Sequence, residues 1–147
     1  MRMIDNLNIK YYQTLVTQTK CGIFMGKTFF AKPVLLLAVL DMIIDGKITE
    51  NKILLIDCLI DYYTTSFKRF LPKEKPTPIH RPFYYLKNDG YWHLEFSKEI
   101  NEVPSLKFLR ENSYASFDTA FWEILQTAEN LVFFKRLVIE KFFNTDN

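Results

Sequence analysis

The sequence predicts a mainly α-helical domain carrying one small antiparallel β-hairpin. Apolar residues recur at three- and four-residue spacing through most of the chain, the period of a helix with one buried face. Strict apolar/polar alternation is confined to two short stretches, "YWHLEF" (Tyr91–Phe96) and "SLKFLRE" (Ser105–Glu111), which predicts a single hairpin between them. With 147 residues, 48% hydrophobic and 24% charged, the chain has the balance of an ordinary globular protein and the length for one substantial core, so residues 1–147 are expected to form one domain.

Leu7, Tyr11, Leu15 and Val16 keep helical spacing and predict a first amphipathic helix from Asn6 to about Lys20. "TKCGIFMGKTFFAKP" breaks the pattern at Gly22 and Gly26. Pro33 suits the first turn of a second helix, because its missing N–H has no partner to lose there, and Gly46 ends that helix near Asp45. Val34–Leu40 is apolar all round, which places this helix at the centre of the domain. Thr49 is the expected cap of a third helix from Glu50 to Phe70, with Ile53, Ile56, Ile60, Tyr63 and Phe67 on one face. The pair has the outline of a helix-turn-helix, but Asp57 and Asp61 in the second helix carry the wrong charge for a major groove. Pro72, Pro76, Pro78 and Pro82 predict a stiff, extended connector that includes Arg81. "KNDG" (Lys87–Gly90) predicts a turn. From Ser116 onward Phe117, Phe121, Ile124, Leu125 and Ala128, then Leu131, Phe134, Leu137, Val138 and Phe142, predict a helical C-terminal part. Trp92 and Phe121 are expected in the core.

Several chemistries lack their residues. Cys21 and Cys58 have neither metal-like nor redox-like spacing, and "MRMIDNLNIKYYQ" lacks an apolar signal segment; a reducing, cytoplasmic setting is expected. The longest apolar run, "PVLLLAVLDMII", falls short of the ~20 residues of a membrane span. His80 and His93 stand too few for a zinc site. "CGIFMGKT" (Cys21–Thr28) ends like a phosphate-binding loop but lacks the first glycine and the preceding strand. Counting does not exclude a catalytic triad, which assembles in space, but nothing in the sequence favours one. No cofactor, metal or catalytic residue is therefore expected.

Net charge is only +2, yet Lys68–Lys87, "KRFLPKEKPTPIHRPFYYLK", holds six Lys or Arg residues against one Glu, so the remainder of the chain is acidic. A cation cluster of this kind is the footprint of a polyanion partner or a solvated surface.

Taken in order, "KPVLLLAVLDMIIDGKITENKI", "RPFYYLKNDGYWHL", "LRENSYASFDTAFWEIL" and "LVFFKRLVIEKFF" resemble the N-terminal DNA-binding domain of bacterial HNH restriction endonucleases, a group that includes sulfur-binding domains reading phosphorothioate-modified DNA. The resemblance runs from about Lys27 to Phe143. It implies a mainly helical, non-catalytic reader of double-stranded DNA acting in restriction and bacterial defence, with the HNH nuclease as a separate domain not contained in these residues. It also implies a sulfur pocket in two parts. "HRP", His80, Arg81 and Pro82, matches the basic residue beside a histidine; "SYASF" supplies Tyr114 and Ala115 for the later aromatic-led turn, with Ala115 where sulfur readers tend to have proline. Arg81 would hold the phosphorothioate oxygen while Tyr114, Ala115 and the Pro82 ring seat the sulfur. Lys68, Arg69, Lys73, Lys75 and Lys87 are the expected contacts to backbone phosphates. The alternative expectation is a helical protein-interaction domain of a defence or mobile-element protein.

Overall fold

The computed structural model describes residues 3–143. Among them are seven α-helices and two separate two-stranded antiparallel sheets, so the chain is mainly α with small β-hairpins. No helix among the described residues is long and apolar enough to cross a membrane.

Helix α2 (Ala31–Ile44) is the central strut: every residue from Pro33 to Leu40 is buried. Its two charged residues are both tied, Lys32 to Asp89 and Asp41 to Lys135 of α7 (Ala128–Val138), each at 2.7 Å. The helix stops at Gly46, whose φ of 74° takes the left-handed turn that glycine enters without penalty. There the Lys47 N–H donates to the Met42 carbonyl and the Gly46 N–H to that of Ile43, a Schellman closure. Around α2 lie α3 (Asp57–Phe70), α4 (His80–Tyr85) and α7, and α1 (Met3–Thr17) packs on α7.

Three expectations are corrected. The third helix begins at Asp57, not Glu50. "KILLI" buries Ile53 and Leu55 and exposes Leu54 and Ile56, a period of two, and Ile53 exchanges two backbone hydrogen bonds with Ala115 at 2.7 and 2.8 Å. Pairing with a neighbouring strand thus overrides the helical spacing. Strand β3 (Trp92–Phe96) forms as expected, but its partner is β4 (Ser113–Phe117); the "SLKFLRE" stretch is instead helix α5 (Leu106–Asn112). Ser105 decides this locally by accepting the Phe108 N–H at 3.1 Å as the N-cap. Ser116 and Phe117, expected in a helix, consequently lie in β4, and helix resumes as α6 (Thr119–Ile124), α7 and a π-helical turn, Ile139–Phe143. The proline connector, thirdly, is not extended throughout: the Arg81 N–H donates to the Pro78 carbonyl and α4 starts at His80, with Pro82 in its first turn.

The glycines that break the pattern after α1 form a feature the sequence reading did not resolve. Gly22–Phe24 (β1) pairs with Lys27–Phe29 (β2) in a ribbon closed by Met25 and Gly26, with φ of 52° and 77°. Two positive φ angles in a two-residue loop match the twist of the strands.

The β3–β4 hairpin joins α4 to the core. Trp92 and Phe121 are fully buried, as expected. The Trp92 indole N–H donates to the Phe83 carbonyl at 2.9 Å and its ring meets Phe83 and Phe117 edge-on. Phe121 in turn stacks on Tyr12 and contacts the rings of Tyr91, Phe117 and Phe134.

Candidate nucleic-acid interface

A groove of about 920 Å³ runs between the β1–β2 ribbon, the first turn of α2 and the segment from Lys75 to Tyr85. Pro78, Pro82, Tyr85 and Phe24 give it apolar walls, and its charged lining consists of Lys20, Lys32, Lys75 and Arg81 with no carboxylate. Lys32 is the anchored one. Its partner Asp89, with a side chain 1% exposed, also accepts the Lys20 backbone N–H at 2.8 Å, so one buried carboxylate fixes both the start of α2 and the entry to the ribbon. Lys75 and Arg81 enter no ion pair among the described residues and are exposed, leaving their charge available to a ligand. Lys27 of β2 pairs with Glu74 at 3.3 Å, tying the ribbon to the proline-rich segment. The Cys21 thiol on the groove wall is pushed up to about 11, chiefly by burial, and stays protonated and unreactive at neutral pH.

Arg81 stands between this groove and a second cleft of about 620 Å³, which it shares with His80, Tyr85, Glu99 and Glu102. His80 is half-buried; burial first and the Arg81 charge second hold its pKa below the ordinary histidine value. Pro82 is buried but borders the groove.

The expected two-part pocket does not form. The register of β3 and β4 puts Trp92, Leu94, Ala115 and Phe117 on the inner face of the hairpin and His93, Glu95, Tyr114 and Ser116 on the outer one. Helix α4 packs on the inner face through Phe83 and Trp92, whereas Tyr114 lines a different cleft with His93 and Glu95. The hairpin therefore separates Arg81 from Tyr114, and Ala115, fully buried against the Ile53 strand, presents no surface to a ligand. The apolar residues of this segment that line the groove with Arg81 are Pro78, Pro82 and Tyr85.

The basic cluster is likewise divided. Lys75 joins Arg81 in the groove, and Lys20 and Lys32 join them from far away in sequence. Lys68 and Arg69 occupy the last turn of α3, where they complement its dipole, and the Arg69 guanidinium lies over the Phe70 ring. Lys73 is exposed outside the groove lining, and the Lys87 ammonium sits 4.7 Å from the Tyr84 ring centre.

The outer face of the hairpin holds a polar group that sequence spacing gave no hint of. His93 pairs with Asp118, which also accepts the Tyr12 hydroxyl at 2.7 Å, and Ser116 stands across the ladder from His93. The residue types are those of a hydrolytic triad, but no hydrogen bond joins Ser116 to His93, and the Asp118 contact is made by Nε2, the nitrogen a serine would need. Asp118 works here as the tie between α1 and the start of α6. Among the described residues no three His, Cys, Asp or Glu side chains are grouped to hold a metal ion. No protein-family model matches the chain, and comparison with curated proteins finds no match.

Proposed function

We propose that the chain is a non-catalytic reader of duplex DNA that holds the phosphate backbone in the groove between the ribbon and α4, with a preference for a phosphorothioate. One observation carries this: the charged lining of that groove is entirely cationic, and Arg81, which enters no ion pair among the described residues, lines it together with Pro78, Pro82 and Tyr85. A phosphate needs the cations. A phosphorothioate, which keeps the charge but exchanges one oxygen for a less hydrated sulfur, gains from the apolar wall as well. An oxygen turned to that wall would lose its water without recovering a hydrogen bond, at a cost of ~1–3 kcal/mol, or about one to two decades of preference. Competition between modified and plain duplexes of identical sequence, at two salt concentrations, tests both halves. Salt-sensitive binding with at least about tenfold preference for the modified duplex is the expected result. Salt-insensitive binding would remove the DNA role, and equal competition would remove the sulfur preference.

A second proposal draws on a different cleft, which shares no lining residue with the groove. A cleft between α1 and α7 is lined by Ile9, Val132 and Phe133, and Leu7 and Tyr11 are exposed on α1. That is the surface on which a helical protein-interaction domain would receive a partner.

A further inference from the structure

We propose that the tip of the β1–β2 ribbon is a wedge that opens a base step of the DNA held in the groove. The inference rests on the DNA-binding role proposed above. Ile23, Phe24 and Met25 are 73%, 66% and 88% exposed, three consecutive large apolar side chains on a ribbon whose first strand has no buried residue. Met25 also holds φ at 52°, a left-handed conformation that asparagine or glycine adopts with less strain. Nothing in the packing of the core requires an apolar residue there.

The surroundings of the ribbon select the occupant. Lys20 precedes it and lines, with Ile23 and Phe24, the same groove as Lys75 and Arg81, in which no carboxylate appears. A second copy docking on this tip would bring like charges together, which disfavours a symmetric pair. A duplex satisfies both features at once: its phosphates meet the cations, and the side chains at the tip are of the kind that architectural proteins insert between base pairs. Because the cations and the apolar tip share one groove, a strand whose phosphates lie on Arg81 and Lys75 brings its bases toward Phe24. Unstacking is least costly where a step is already mismatched, so a wedge discriminates by deformability.

The test compares the intact chain with a Phe24→Thr/Met25→Asn variant, which keeps a strand former in β1 and relieves the positive φ at the turn, so that folding is retained or improved. Each protein is titrated with a perfect duplex and with one carrying a single mismatch, both containing 2-aminopurine at the central step. The parent is expected to bind the mismatched duplex about tenfold more tightly and to raise the 2-aminopurine fluorescence, while the variant shows no preference and no rise. Salt-dependent binding by the parent without either signal would overturn the wedge and leave the DNA role standing. Absence of binding to any duplex would overturn both. Self-association of the parent that the variant abolishes, or binding of the parent to phosphatidylserine vesicles with no fluorescence change on DNA, would reassign the tip to an interface between copies or to a lipid surface and overturn the wedge.

Discussion

Replacing Lys75 and Arg81 together by alanine isolates the electrostatic part of DNA binding. Both are exposed, neither belongs to an ion pair among the described residues, and both line the groove, so their loss removes charge without opening the core. Each phosphate contact contributes about 0.9 to the slope of log affinity against log salt, so the double variant should lower that slope by ~1.8. Between 50 and 200 mM salt, a fourfold change, the parent should then lose roughly twelvefold more affinity than the variant. Arg81→Ala alone should cost ~1.5–3 kcal/mol if its guanidinium makes a charge-assisted bond to a phosphate, about one to two decades in Kd. Fluorescence anisotropy of a labelled duplex across four salt concentrations supplies both quantities, and a thermal melt checks that the fold is untouched. Lys68→Ala and Lys87→Ala, at positions outside the groove, are the controls. An unchanged slope in the double variant, or equal losses in the controls, would refute the assignment of phosphate contacts to the groove.

Phe121→Ala should cost ~3–5 kcal/mol, because the ring is fully buried and touches four other aromatic rings that cannot collapse into the space; chemical denaturation measures it, and a loss under ~1 kcal/mol would mean the cluster is looser than it stands. Lys32→Ala strands the buried Asp89 carboxylate and should destabilise by ~3 kcal/mol, a loss that Lys32→Ala/Asp89→Asn partly restores in the same assay. His80 is held below its ordinary pKa by burial and by Arg81, so the folded state resists its protonation. Its contribution to stability is complete above the unfolded value, about 6.5, and is lost as pH falls below it; melts of the parent and of His80→Asn between pH 7.5 and 5 should diverge only on the acid side.

The central helix was legible because it needs no partner to be recognised: Val34–Leu40 is apolar on every side, and Gly46 is the residue a left-handed helix end requires. Trp92 and Phe121 were legible as core for the same reason, being large aromatic residues in strongly periodic blocks. The sequence also supplied the cations of the proline-rich segment and their excess over acids. What it left open was pairing. "KILLI" and "SLKFLRE" each fit both a period of two and a period near 3.6, and the choice fell to contacts beyond that pattern: a hydrogen-bonded bridge to the remote Ala115 for the first, and for the second the local Ser105 cap together with β3's pairing with β4. That choice of strand register then decided the site. A strand sends alternate side chains to opposite faces, so placing Ala115 inward necessarily turned Tyr114 outward, away from Arg81, and the groove drew its remaining cations from Lys20 and Lys32, which lie more than forty residues earlier in the chain. Composition and local period determine which segments are buried and where charge is concentrated; which side chains share one cleft depends on long-range pairing, whose energy is not contained in any single segment.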